Sequence, residues 1–191
     1  MNYVKRTVAP TVRPISVTEA KLHFKVTGTD EDDNIAIYLD GAITACENKL
    51  QTAIMDSRFT LYARSFAQHL DLQKNYVSAI NSVKYYDVDG NLTTVSSVNY
   101  SVQDFKVPNV LYFNDSYTFP NTDLREFPVE VSFQAGFTSA SSVFPNIRNA
   151  VFLEVADRYE NRQNEVIGER LISVMYNTTA EKMLNEECQY L

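Results

Sequence analysis

Tryptophan is missing from the 191 residues, and only five are glycine, two cysteine and two histidine. Each shortage excludes something. Five glycines scattered singly cannot build a phosphate-cradling loop. Neither His23 nor His69 has a cysteine or acidic partner at metal-ligand spacing. The sequence expects His23 on a short helix and His69 in a turn. Cys46 and Cys188 are far apart, which reads as two unpaired thiols in a reduced compartment rather than a disulfide framework. No nucleophile elbow and no HExxH helix occurs, so catalysis is not expected, and neither is a cofactor or a metal. No apolar run approaches membrane-spanning length, and MNYVKRTVAP lacks the apolar core of a signal peptide. The expectation is synthesis and use in a cytosol. Basic residues are also in deficit, 17 Lys and Arg against 24 Asp and Glu, for a formal charge of −7. Gripping the outside of a duplex needs clustered cations, so such binding is disfavoured. A surface that DNA slides past is not.

What is present is a folding composition, 45% apolar and 21% charged. The length suits one core, or one domain with an appended lobe. Twelve Tyr and eleven Phe load the chain with rings. Tyr suits half-buried sheets and interfaces, where the ring packs and the hydroxyl stays wet. The organising stretch runs from Val129 to Arg162. Val129, Val131 and Phe133 alternate with Glu130, Ser132 and Gln134, as in a half-buried strand. Gly136 ends it and a polar loop follows. Pro145 then suits the first turn of a helix, whose apolar stripe is Ile147, Val151, Val155 and Tyr159.

In chain order, residues 1–15 read as an extended arm that is either loose or lies on a neighbour. Ser16 with Glu19 is a capping-box pattern opening a helix over Val17 to Phe24. Asp30 is expected to cap a longer helix whose acidic first turn suits the helix dipole. Its stripe is Ile35, Leu39, Ile43, Cys46, Leu50 and Ile54, with Gly41 permitting close packing. From Arg58 to Phe137 the period becomes that of strands. Val77–Tyr86 and Leu92–Tyr100 flank a hairpin turn at Asp87–Asn91, and Asn114–Pro128 is a long loop. A short helix over Thr179–Glu187 closes the chain. The order predicts an α+β fold: a small helical bundle of 16–56 and 138–162, an inserted antiparallel β lobe of 57–137, and a C-terminal extension of 163–191. The acidic residues Asp30, Glu31, Asp32 and Asp33 lack calcium-loop spacing, as does the hairpin with Asp87 and Asp89.

Several of these residues also carry a resemblance. They are Glu19-Ala20-Lys21 with His23, Asp30-Glu31-Asp32 leading to Ile35, and the hairpin Tyr86-Asp87-Val88-Asp89-Gly90. Ala135-Gly136-Phe137, Pro145, Ala150 and Tyr159-Glu160-Asn161-Arg162 complete the set. Over Pro14 to Arg162 the chain resembles the head–tail connector, or adaptor, family of long-tailed bacteriophages, the head-completion proteins beneath the portal.

The resemblance implies a ring, usually of twelve copies, that docks on the portal after packaging and extends the DNA channel towards the stopper and tail. It implies no catalysis and places the protein in the neck of the virion. Asp30, Glu31, Asp32 and Asp33 are then candidates for channel-facing acids that repel phosphate. Ile172, Met175, Tyr176, Met183, Leu184 and Tyr190 are candidates for contact with the portal or a neighbouring subunit, because short segments carrying apolar residues are not stable alone. Folding back on the same chain's core is the competing reading for them. Another tail-completion or receptor- or glycan-binding virion module, drawn from the Tyr-rich lobe, is the alternative function.

Overall fold

A computed structural model describes residues 2–160 and 178–189. The expectations for Ile172, Met175, Tyr176 and Tyr190 lie outside the described residues. The fold is α+β. The elements are β1 (Tyr3–Val8), α1 (Val17–Phe24), α2 (Asp32–Leu50), β2 (Ser57–Ala63), β3 (His69–Asp71), β4 (Val77–Tyr86), β5 (Leu92–Val95), β6 (Tyr100–Gln103), β7 (Val110–Phe113), β8 (Val129–Ala135), α3 (Pro145–Glu160) and α4 (Thr178–Gln189). They form two compact units. Among the described residues, 2–11 and 51–138 make a β unit, and 12–50, 139–160 and 178–189 make a helical unit.

In the β unit a five-stranded antiparallel sheet has the order β1-β2-β8-β4-β5, and a three-stranded one the order β3-β7-β6. Alternation sets which side of each strand is buried. β8 buries Val129, Val131, Phe133 and Ala135 and turns Glu130, Ser132 and Gln134 outward, and β2 buries Phe59, Leu61 and Ala63 beside them. Phe59 and Phe133 meet across the ladder with ring centroids 5.7 Å apart. Both sheets contribute to one core, because Leu70, Leu111 and Phe113 of the smaller sheet cluster with those residues. Phe113 is its hub: Phe66, Tyr117 and Phe119 lie 5.6, 5.7 and 5.4 Å from it. Two of those rings sit in the Asn114–Pro128 loop, so this irregular stretch is pinned from beneath.

Three expectations are corrected here. Tyr3–Val8 is extended, but it is a strand of the large sheet, in register from Tyr3↔Tyr62 to Val8↔Arg58. Its partner lies some fifty residues away, beyond what local pattern reveals. Leu92–Tyr100 is not one strand. A 3₁₀ turn at Ser97–Asn99 follows β5, and the chain enters the other sheet at Tyr100. His69 belongs to β3, opposite Tyr112, rather than to a turn.

In the helical unit α1 has the expected boundaries and cap. The Ser16 amide donates to Glu19 Oε2 (2.8 Å), and the Glu19 amide donates to Ser16 Oγ (3.1 Å). α2 begins at Asp32, and its first i→i+4 bond runs from the Ile35 amide to the Glu31 carbonyl, so Glu31 rather than Asp30 occupies the cap position. The stripe Ile35, Leu39, Cys46 and Leu50 is buried together with Ala42. The helix stops there, because Gln51 takes φ +52°, so Ile54, though buried, lies beyond it among the residues of the β unit. α3 supplies Ile147, Ala150, Val151 and Val155, and its Arg158 guanidinium rests against Gly41, where a β-carbon would stand 3.4 Å from Nη1.

Candidate assembly surfaces

The residues expected to act fall at two places in the helical unit. Asp30 to Asp33 lead into α2 and are not equivalent. The Tyr159 hydroxyl donates to Glu31, and Lys21 pairs with Asp32, while Asp30 and Asp33 are exposed. Those two engaged carboxylates hold the start of α2 against α1 and α3. Beside them Phe24 stacks on Tyr159 (4.8 Å) and His23 on Phe152 (5.1 Å), which gives His23 a packing role.

The second place is α4. Leu184 is 1% exposed and Ala180 fully buried, packed towards α3 and α2. Lys49 Nζ to Glu181 (2.9 Å) and Asn146 Nδ2 to Glu187 (2.9 Å) fasten the same helix. Leu184 therefore folds back on its own unit, the competing reading for this residue. Met183 stays half-buried beside it.

The remaining chemical candidates resolve into structure. Cys46 is buried, and that burial, with Glu154 nearby, pushes its thiol up to about 12, far from a nucleophile's range. The Asp87 carboxylate accepts the amides of Asp89 (3.0 Å) and Asn91 (2.9 Å), and Gly90 takes φ +80°, so this carboxylate shapes the hairpin. Among the described residues no three His, Cys, Asp or Glu side chains gather as metal ligands would. No described helix is long and apolar enough to cross a membrane.

Sequence reasoning missed the exposed apolar positions of the β unit. Val88 at the hairpin tip is 66% exposed, and Leu124 in the neighbouring loop is wholly exposed. The loop is held there by the Asp123 amide on the Tyr86 carbonyl (3.0 Å) and by Arg125 lying 3.4 Å over the Tyr86 ring. A shallow pocket of about 540 Å³ adjoins them, walled by Phe66, Val88, Phe119 and Pro120. On the turn between β6 and β7, Phe105 and Val107 are also exposed. Asn109 braces that turn: its side-chain amide donates to the carbonyls of Asp104 (3.1 Å) and Lys106 (3.0 Å), and its Oδ1 accepts the Val77 amide (2.9 Å). Apolar residues flanking a turn signature were the available signal.

The described residues thus form a packed α+β chain with no reactive cluster, whose notable features are surfaces. Its fold is shared with chains of gene transfer agent particles. One, from the virion of a native gene transfer agent particle, matches at TM-score 0.75 and 21% identity over 96% of this chain and 93% of its own. Another, from the neck of an empty particle computed with C6 symmetry, matches at TM-score 0.74 and 24% identity over 95% and 94%. A third, from the neck of the native particle computed with C12 symmetry, gives 0.68 and 20% over 95% and 94%. At such identities the likeness is one of fold. No protein-family model and no curated protein matches the chain.

Proposed function

We propose that this protein is a structural component of the neck of a phage-like particle, and within it the head–tail connector, or adaptor. It assembles as a ring beneath the portal, extends the DNA channel, and receives the stopper or tail-completion protein. The observation carrying this reading is the match in fold to chains of gene transfer agent necks over 95% of the chain, both units included. The C6 and C12 symmetries of those necks favour a ring, and the motif resemblance across Pro14 to Arg162 favours the portal-proximal position. Coverage of the helical unit weighs against a receptor-binding lobe as the function.

The acidic balance suits a channel wall that lets a duplex pass without holding it. Asp30 and Asp33, exposed at the start of α2, are the channel-facing candidates. Contact with the portal or a neighbouring subunit is proposed for Met183 with Ile172, Met175, Tyr176 and Tyr190. The protein works in the virion after synthesis in the host cytoplasm, and it needs neither catalysis nor a cofactor.

The test is electron microscopy of the purified protein mixed with portal rings from the same particle. The expected result is a ring stacked coaxially on the portal's narrow end. No association, with portals competent for other partners, overturns the adaptor assignment.

A further inference from the structure

The strand β4 separates two apolar surfaces of the β unit. At its end lies the shallow pocket of about 540 Å³, walled by Phe66, Phe119 and Pro120 with exposed Val88 on its rim. Phe66 lies 5.5 Å from the Tyr85 ring, and the Asp123 amide on the Tyr86 carbonyl (3.0 Å) holds the neighbouring loop, with wholly exposed Leu124, at the same end. At the start of β4 lies the turn between β6 and β7, which exposes Phe105 and Val107. The Val77 amide donates to Asn109 Oδ1 (2.9 Å) and the Asn109 amide to the Lys74 carbonyl (3.1 Å), so the turn is anchored there. From Val77 to Tyr86 the strand covers about 30 Å.

We propose that in the ring the Phe105–Val107 turn of one subunit seats in the Phe66–Phe119 pocket of the next. The inference rests on the ring reading above and names its contact. A ring of identical subunits needs two different surfaces on each copy that fit one another. Surfaces at opposite ends of one strand meet that condition. A neighbour displaced along the strand direction, and turned by the ring's rotation, brings the start of its β4 to the end of the first. The side chains are complementary in order. Phe105, Lys106 and Val107 present apolar, base, apolar, whereas Asp87, Val88 and Asp89 at the rim present acid, apolar, acid. Asp104 precedes the turn, and Arg125 near the rim is engaged with Asp123 at 2.7 Å. The contact is therefore apolar at its centre, with Lys106 and Asp89 paired at its edge. Asn109 orders the turn and Tyr86 the loop within one chain, so docking has little conformational freedom left to remove.

The test is assembly of the full-length protein, alone and on portal rings, followed by mass photometry and electron microscopy. Phe105→Ser removes an exposed ring, so the thermal midpoint should stay at the wild-type value while the concentration for half-assembly rises roughly tenfold. Oxidation of a double variant, Phe105→Cys with Val88→Cys in a Cys188→Ser background, should give a ladder of covalent multimers ending at the ring. Either cysteine alone in that background should give none. Wild-type assembly by Phe105→Ser, or rings of the double variant without the ladder, overturns the contact while the ring stands, and leaves these surfaces to another component of the neck. Covalent dimers from Phe105→Cys alone indicate a two-fold contact and overturn it too. A wild type that forms no ring, alone or on portals, overturns both readings.

Discussion

The β unit and the helical unit are stabilised by different means. The β unit concentrates large rings around Phe113, and its strand pairs join residues far apart in sequence: Phe59 meets Phe133, and Tyr3 meets Tyr62. Among the described residues the helical unit has an aliphatic core without large rings, in which Ala20, Ala42, Cys46, Ala150 and Ala180 are buried beside Ile35, Leu39, Ile147 and Leu184. Its rim is fixed by directional contacts, among them the Arg13 fork on Asp40 (2.6 and 2.8 Å) and the Arg148–Glu19 pair (2.7 Å). Exposed pairs of that sort contribute little each. The β unit should therefore depend on a few large residues, and the helical unit on many small increments.

Four substitutions probe that contrast, beginning with the largest expected effect. Phe113→Ala should destabilise by about 4 kcal/mol, because it removes the ring against which Phe66, Tyr117 and Phe119 pack. A chemical denaturation curve measures it, and a loss near 1 kcal/mol would mean that the aromatic hub is not the centre of the unit. Gly136→Ala follows at about 3 kcal/mol. Gly136 has φ +109°, and a β-carbon there would lie 2.5 Å from the Met55 carbonyl oxygen. Thermal unfolding should show it, and an unchanged midpoint would contradict the close approach of the two backbones.

In the helical unit Leu184→Ala should cost about 2 kcal/mol and release α4, which hydrogen exchange along α4 would register. Protection equal to wild type would show that the Lys49–Glu181 pair and the Asn146–Glu187 hydrogen bond suffice to hold α4.

Ser16→Ala is the smallest, about 1 kcal/mol, through loss of the cap. It also carries a pH signature. Hydrogen bonds from the Ser16 amide and hydroxyl, aided by Arg148, hold the Glu19 carboxyl below its usual range. A carboxyl lowered in this way stabilises the fold above the unfolded glutamate's pKa, and that contribution disappears as pH falls through the lowered value. Stability measured from neutral pH into the acid range should fall less steeply in Ser16→Ala than in wild type. Parallel curves would separate Glu19 from the acid sensitivity.

Local features were legible in advance. The Ser16–Glu19 box, the β4–β5 hairpin, the alternation of β2 and β8 and the Pro145 helix start each depend on residues a few positions apart. Chemical neighbours bonded over such distances leave a pattern in the chain. The candidate surfaces were less legible. The apolar residues of the extension read equally as partner contacts or as core, and burial placed Leu184 in the core. The acidic run reads as four equal charges, and folding divided it, engaging Glu31 with Tyr159 and Asp32 with Lys21.

Composition and spacing alone established an α+β chain in which a β region lies between helical segments. Tertiary structure decided the rest: that Tyr3–Val8 is a sheet edge, that the strands divide into two sheets over one core, and that Asn109 braces the turn bearing Phe105. The reason is the range of the interactions. A cap or a hairpin satisfies backbone groups with near neighbours, whereas an edge strand or a buried amide finds its partners only after distant segments have been brought together.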